Sequence, residues 1–235
     1  MGARAKRPGW QPVTPQPELV LPYVVRIERT DPPTRTDALE AAARGALLML
    51  TRPPPDWVDA VSAWDGQRIR KVVRRARGAE WRRAEALPGL TVRNGSAEVR
   101  VFPPIPVDEW PRDLARLQVG GTELDDPAPA LVKAGTPLVL LSPYLELTAG
   151  KAMAQAAHAA QLGWRASGPA DRDAWAGQDF NLAVRTATPA AWRRALAAGV
   201  PVVHDAGFTE VTPGSQTAAA VLPWLRSAAD QSSES

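Results

Sequence analysis

The sequence predicts an α/β protein made of two tandem copies of one α/β/α unit. Each copy has a mixed, roughly four-stranded sheet, and the two pack as an intramolecular pseudo-dimer. Three observations lead there. Short apolar runs alternate with helix-length segments through both halves of the chain. Residues 63–84 match residues 174–195 at a constant offset of 111 without a gap, with twelve of 22 positions identical. Two tryptophans (Trp64, Trp81) and the pair Gly66-Gln67 are among the identities, which compositional bias toward Ala and Arg does not explain. Finally, Asn94-Gly95 separates two alternating runs and signals a hairpin.

In order, residues 1–19 read as a flexible, basic and Pro-rich arm, and residues 22–27 as a strand. A Pro-rich turn then leads to a helix over 36–50, with Thr36 a plausible N-cap. After the Pro54-Pro55 break come a short helix (57–63), a basic strand-like run (68–74) and a helix (79–87). Strands at 90–92 and 98–101 flank the Asn94-Gly95 turn. Residues 103–126 read as a Pro-bounded linker with a short helix. The second half repeats the order: strand 138–141, helix 150–162, loop, strand 181–185, helix 190–198, strand 200–203 and strand 217–222. Sliding the offset to 114 aligns Val24-Val25 with Leu138-Val139 and Ala38 with Ala152. At 112, Glu98-Val99 meets Glu210-Val211. The expected units are 1–19 (arm), 20–126 (first copy), 127–226 (second copy) and 227–235 (disordered tail).

Composition narrows the chemistry. With no cysteines and two histidines in 235 residues, disulfides, thiolate zinc sites and histidine-rich metal sites are excluded, and no metal or other cofactor is expected. The start of the chain lacks the apolar core of a signal peptide, and no apolar run approaches the ~20 residues that span a bilayer. A cytoplasmic location follows as an expectation. Residues 1–120 hold 20 Lys/Arg against 14 Asp/Glu, and residues 121–235 hold 8 against 11. The basic half suits an RNA partner electrostatically.

Chemistry-bearing residues concentrate in the second copy. Residues 204–217, His-Asp-Ala-Gly-Phe-Thr-Glu-Val-Thr-Pro-Gly-Ser-Gln-Thr, follow an apolar strand and are dense in hydroxyls, carboxylates and turn formers. Such a loop beyond a strand end is where α/β folds place their sites. Upstream, Lys151, Gln155 and His158 fall at i, i+4 and i+7 of a helix and share one stripe. Lys151 sits in that helix's first turn, where backbone amides already favour an anion. The first copy has Asp37, Ala41, Arg44 and Asn94 opposite Lys151, Gln155, His158 and Asp205. It has also gained the basic set Arg68, Arg70, Lys71, Arg75 and Arg77.

Gly150-Lys151, Gln155 and His158, followed by Asp205-Ala206-Gly207, Thr209, Pro213-Gly214-Ser215 and Thr217, resemble in order and spacing the type 2 peptidyl-tRNA hydrolase family. The resemblance covers roughly residues 135–225. Where the family usually has a second lysine, this chain has Ala149, and the family's closing strand is replaced by Trp224 and a polar tail. The resemblance implies metal-free, direct attack of water on the ester joining a peptide to the terminal ribose of tRNA, without a cofactor. Lys151, Asp205, Thr209 and Thr217 would be catalytic; Gln155, His158, Gly207, Pro213, Gly214 and Ser215 would contact substrate. Arg68, Arg70, Lys71, Arg75 and Arg77 form a candidate tRNA-binding flank. The family's tendency to dimerise implies that fusion satisfies one interface within a monomer. The other function open to this pattern is a non-catalytic RNA-binding or interaction module on the same fold.

Overall fold

The computed structural model describes residues 17–126, 129–207 and 210–225. Most of the expected arm, the tail from 227 and Thr209 lie outside the described residues. Strand β1 (Leu19–Arg26) leads to helix α1 (Arg35–Thr51), a 3-10 turn (Pro55–Trp57), α2 (Val58–Asp65), β2 (Lys71–Ala76) and α3 (Gly78–Ala86). The hairpin β3 (Leu90–Asn94)/β4 (Ala97–Val101) follows, then short β5 (Ile105–Pro106) and α4 (Arg112–Ala115). The second half runs β6 (Leu138–Leu141), α5 (Ala149–Ala166), α6 (Pro169–Gly177), β7 (Ala183–Thr186), α7 (Pro189–Ala197), β8 (Val202–His204) and β9 (Gln216–Val221).

The two sheets have one topology. Sheet order is β2-β1-β4-β3 in the first copy, with β5 added beside β1, and β7-β6-β9-β8 in the second. In each, the first two strands in sequence pair in parallel and the remaining pairings are antiparallel. The fold is therefore two tandem α/β units with mixed sheets.

Strand register corrects two of the offsets. Val24 lies opposite Arg74 and Arg100, whereas Leu140 lies opposite Arg185 and Ala219. Since Arg74 and Arg185 correspond, Val24-Val25 is equivalent to Leu140-Leu141 rather than to Leu138-Val139. A two-residue slip keeps every side chain on its own face, so the apolar pattern cannot detect it. The helix offset of 114 stands: Thr34 caps α1 through Asp37 N–H, and Thr148 caps α5 through Lys151 N–H. That cap is Thr34 rather than the expected Thr36, whose hydroxyl instead bonds Asp126. Val99 corresponds to Ala218, not to Val211, because two residues join β3 to β4 and eleven join β8 to β9.

Both central helices pack between the sheets and against each other, inside one continuous apolar core that draws on both copies. Their buried faces are largely alanine: Ala38, Ala41, Ala42, Ala43 and Ala46 in α1, and Ala152, Ala156, Ala157, Ala159 and Ala160 in α5. Small side chains let helix axes and strands approach closely. A Cβ on Gly45 would sit 2.5 Å from Val101 Cγ2, and one on Gly163 would sit 2.9 Å from Ala220 Cβ. The outer faces carry separate, smaller cores. Val24 meets Trp81 and Ala84 of α3, and Leu140 meets the equivalent Trp192 and Ala195 of α7.

Helix α6, read as loop from the sequence, starts on Pro169 as its first residue and buries Trp175. Its counterpart α2 buries Trp64, the matching tryptophan of the repeat. The segment after β9 also packs against the core: the Trp224 ring lies 5.4 Å from that of Trp175, and its indole N–H donates to Ser167 Oγ at 2.8 Å. No helix among the described residues is long and apolar enough to cross a membrane.

Candidate functional site

The site begins at the first turn of α5. Thr148 caps the helix, and Glu210, reaching back from the β8–β9 loop, accepts both its N–H (3.1 Å) and its hydroxyl (2.7 Å). That ties the loop to the turn that presents Lys151. Lys151 Nζ lies 2.7 Å from Asp205 Oδ2, with both side chains mostly buried at 12% and 8% exposure. Gln155 Nε2, one turn further along α5, donates to the same oxygen at 2.8 Å, and Gly207 N–H donates to Oδ1 at 2.8 Å. Behind Gln155, the fully buried Thr217 donates its hydroxyl to Oε1 at 2.5 Å. The result is one connected line: Thr217 fixes Gln155, Gln155 and Lys151 fix Asp205, and Asp205 fixes the loop.

Loop geometry explains the glycines. Gly207 has φ +78°, and a Cβ there would fall 2.4 Å from the Pro213 ring, so only glycine fits. Gly214 N–H bonds the Asp205 carbonyl at 2.7 Å, and Asp205 N–H bonds the Ser215 carbonyl at 2.9 Å. Ser215 donates its hydroxyl to Thr212 O at 2.7 Å. Pro213, Gly214 and Ser215 thus shape the loop that holds Asp205.

Burial pushes the Asp205 carboxyl up. The Lys151 hydrogen bond, the Gly207 N–H, the lysine charge and the Gln155 amide outweigh it and hold the group below the ordinary carboxylate range. A carboxylate held that firmly ionised is a weak proton acceptor and a good positioner.

Lys151, Gln155 and His158 line one wall of a cleft of about 820 Å³, and the same stripe of α5 continues through Leu162 and Arg165. The opposite wall comes from the first copy: residues 67–73 around the start of β2, Val20 of β1, and Val107, Trp110, Val119 and Gly120 of the connection between copies. His204 also borders the cleft. Nothing local in the sequence marks the connecting segment as a wall. Its role arises from contacts between distant parts of the chain.

The basic set is divided between two places. Arg68, Arg70 and Lys71 border the main cleft, with Arg70 paired to Glu18 at 2.9 Å. Arg75 and Arg77 border a second hollow of about 310 Å³ with Arg29, Arg116, Glu28 and Glu80. Lys71 is enclosed: its Nζ donates to Gln161 Oε1 at 2.5 Å and lies 4.9 Å from the Trp64 ring. Burial, then the charge of Arg165, pushes its amine well below the usual lysine range against the opposing pull of Asp65.

His158 is held neutral. Burial first, then the charges of Lys71 and Arg165, push its imidazole down to about 2. A group depressed in the folded state takes up a proton on unfolding, so its contribution to stability is complete above the ordinary histidine range and is lost as pH falls below it. Between pH 7 and pH 5 the unfolding free energy should therefore fall, by up to about 1.4 kcal/mol per pH unit from this residue. Denaturant titrations at the two pH values should show that slope, and His158→Gln should flatten it; an unchanged slope in the variant would refute the assignment.

The first copy has structural ties in the equivalent places. Asp37, opposite Lys151, accepts Ser96 N–H (2.7 Å) and hydroxyl (2.6 Å) and pins the hairpin tip. Asn94, opposite Asp205, donates to Glu40 at 3.1 Å. Glu40 also pairs with Arg185 of β7 at 2.8 Å and accepts Val184 N–H at 3.2 Å, while Arg44 pairs with Asp179 at 2.5 Å. Ion pairs thus brace α1 against the β7 side, while on the cleft side Arg165 pairs with Asp65 at 2.6 Å.

Among the described residues no cluster of His, Asp and Glu side chains is placed to hold a metal ion. No family model matches the chain, and no curated protein matches it.

Proposed function

We propose that the second copy hydrolyses the ester of peptidyl-tRNA, or of an N-blocked aminoacyl-tRNA, releasing peptide and free tRNA. The observation that carries this reading is the Lys151–Asp205–Gln155–Thr217 line at the edge of an open cleft, whereas the first copy has Glu40 and Arg44 tied into ion pairs with Arg185 and Asp179. Lys151, Gln155, Asp205 and Thr217, four of the residues that carry the type 2 peptidyl-tRNA hydrolase resemblance, make up this line.

In this mechanism the water oxygen attacks the ester carbonyl carbon directly, the bond from that carbon to the ribose oxygen breaks, and the proton lost by the water ends on the departing ribose oxygen. Asp205 positions the water and keeps Lys151 in place. The lysine ammonium stabilises the oxyanion as it develops, an effect strengthened by its burial. Thr217 has no exposed surface, so it acts through Gln155. Arg68, Arg70 and Arg165, the last two paired with Glu18 and Asp65, border the cleft and supply positive charge for a polyanionic tRNA end.

The test is incubation of the full chain with N-acetyl-aminoacyl-tRNA, following release of the N-acetyl amino acid. Release above the spontaneous rate is expected. Binding of tRNA without release would favour the non-catalytic RNA-binding module instead.

A further inference from the structure

The cleft beside Lys151 has two chemically different parts. Its basic border carries Arg68, Arg70 and Arg165, while much of its wall is aliphatic: Val20, Ile69 and Val72 of the first copy, Leu162 of α5, and Val107 and Val119 of the connection between copies. That connection is firmly held. Val107 N–H bonds Glu18 O at 2.9 Å, and Ile105 pairs with Val20 in the sheet. Arg74 donates to Ala115 O (3.1 Å) and Leu117 O (2.6 Å), while Arg75 N–H bonds Gln118 O at 3.0 Å. Val119 nevertheless stays 45% exposed on the cleft side of these anchors. A pre-formed apolar wall beside a charged reaction centre is the composition of a specificity pocket.

We propose that this wall is the acyl pocket of the enzyme. It receives the apolar side chain of the esterified amino acid, so that the enzyme prefers bulky aliphatic or aromatic residues next to the scissile ester. The inference rests on the hydrolase reading above and adds the substrate class. The terminal nucleobase is a poorer occupant. A base is recognised by stacking on an aromatic face and by hydrogen bonds to its edges. Of the aromatic side chains on the cleft, Trp110 has its indole N–H committed to Val107 O at 3.0 Å and a face covered by the Arg74 guanidinium at 4.2 Å, His204 Nε2 lies 3.4 Å from Gln216 Nε2, and His158 is partly buried. The valines, the isoleucine and the leucine offer no hydrogen bonds at all. The pocket is also shared: the reacting groups belong to the second copy, but most of the apolar wall belongs to the first copy and to the connection. The site is complete only when both are present.

The test charges one tRNA body with N-acetyl-Leu, N-acetyl-Phe, N-acetyl-Gly or N-acetyl-Glu and compares kcat/KM for the full chain. Burial of a medium apolar side chain corresponds to roughly 10- to 100-fold, so Leu and Phe should exceed Gly and Glu by at least about tenfold. Val119→Asp, at an exposed position that does not threaten the fold, should bring the Leu-to-Gly ratio down to within about twofold of one. Measurable hydrolysis with equal kcat/KM for all four would overturn the acyl pocket and leave the hydrolase reading intact. If none is hydrolysed, calorimetric binding of two non-hydrolysable probes decides: the N-acetyl-leucyl and N-acetyl-glycyl amides of 3′-amino-3′-deoxyadenosine. A leucyl preference of tenfold or more, lost in Val119→Asp, supports the pocket. Equal affinities, or no binding of either, overturn it.

Discussion

Lys151→Ala should lower kcat/KM for N-acetyl-aminoacyl-tRNA by on the order of 10²- to 10³-fold while the chain stays folded. A charge aimed at a developing oxyanion from a mostly buried position acts where solvent screens little, and removing such a donor typically has an effect of that size. Asp205→Asn should give a similar loss by another route. The amide keeps an oxygen for Gly207 N–H but removes the charge that holds Lys151 at 2.7 Å. The first copy already carries this exchange at Asn94, which bonds Glu40 instead. Because the two groups work as one unit, the double variant should fall no more than about threefold below the slower single variant. Full circular-dichroism spectra alongside parent-like hydrolysis in both single variants would sink the mechanism.

Separating the copies should have the second large effect. Chains comprising residues 17–126 and 129–225, produced independently, should each lack a cooperative unfolding transition, and mixing them should restore a one-to-one complex. The reason is the shared core. Helices α1 and α5 pack on each other between the two sheets, and the apolar cluster runs across both copies without a break. Exposing even three or four medium apolar side chains of that seam costs about 5–10 kcal/mol, comparable to the whole net stability of a typical domain. Cooperative unfolding of the second half alone, at the temperature found for the full chain, would disprove the obligate pseudo-dimer. Activity of the isolated half on N-acetyl-Leu-tRNA would add that the first copy's wall is dispensable.

Much of this architecture is legible in the residues. Trp64 and Trp81 announce Trp175 and Trp192 because a buried indole needs the same surroundings in each copy, so the repeat survives best at its largest core side chains. Thr36 places the start of the first central helix two residues late, because Thr34 is the residue that caps it. Helix α6 escaped a local reading because it is one short turn-rich segment between prolines and glycines, although α2 foreshadows it through the repeat. The strand offset escaped because sheet periodicity is two, which leaves a two-residue slip invisible. Of the site, the α5 stripe and the Asp205 loop can be read directly. Burial of Thr217 behind Gln155, enclosure of Lys71 and the wall formed by Val107 and Val119 cannot, since each depends on elements that meet only in the folded chain.

The ion pairs of Glu40 and Arg44 bear on how such a protein can change. In a homodimer every interface residue occurs twice, so a substitution that suits one side is imposed on the other. Glu40 corresponds to Ala154 on the open cleft, and its partner Arg185 corresponds to Arg74. Were the two copies identical, the carboxylate that braces α1 would also stand at the position of Ala154 in the open cleft, one turn from Lys151. Fusion removes that obligation: each half carries its own substitution, and bracing on one flank no longer competes with access on the other. The asymmetry is thus inherited in the gene rather than induced by a ligand, and it is available only to a chain that contains both halves of its own interface.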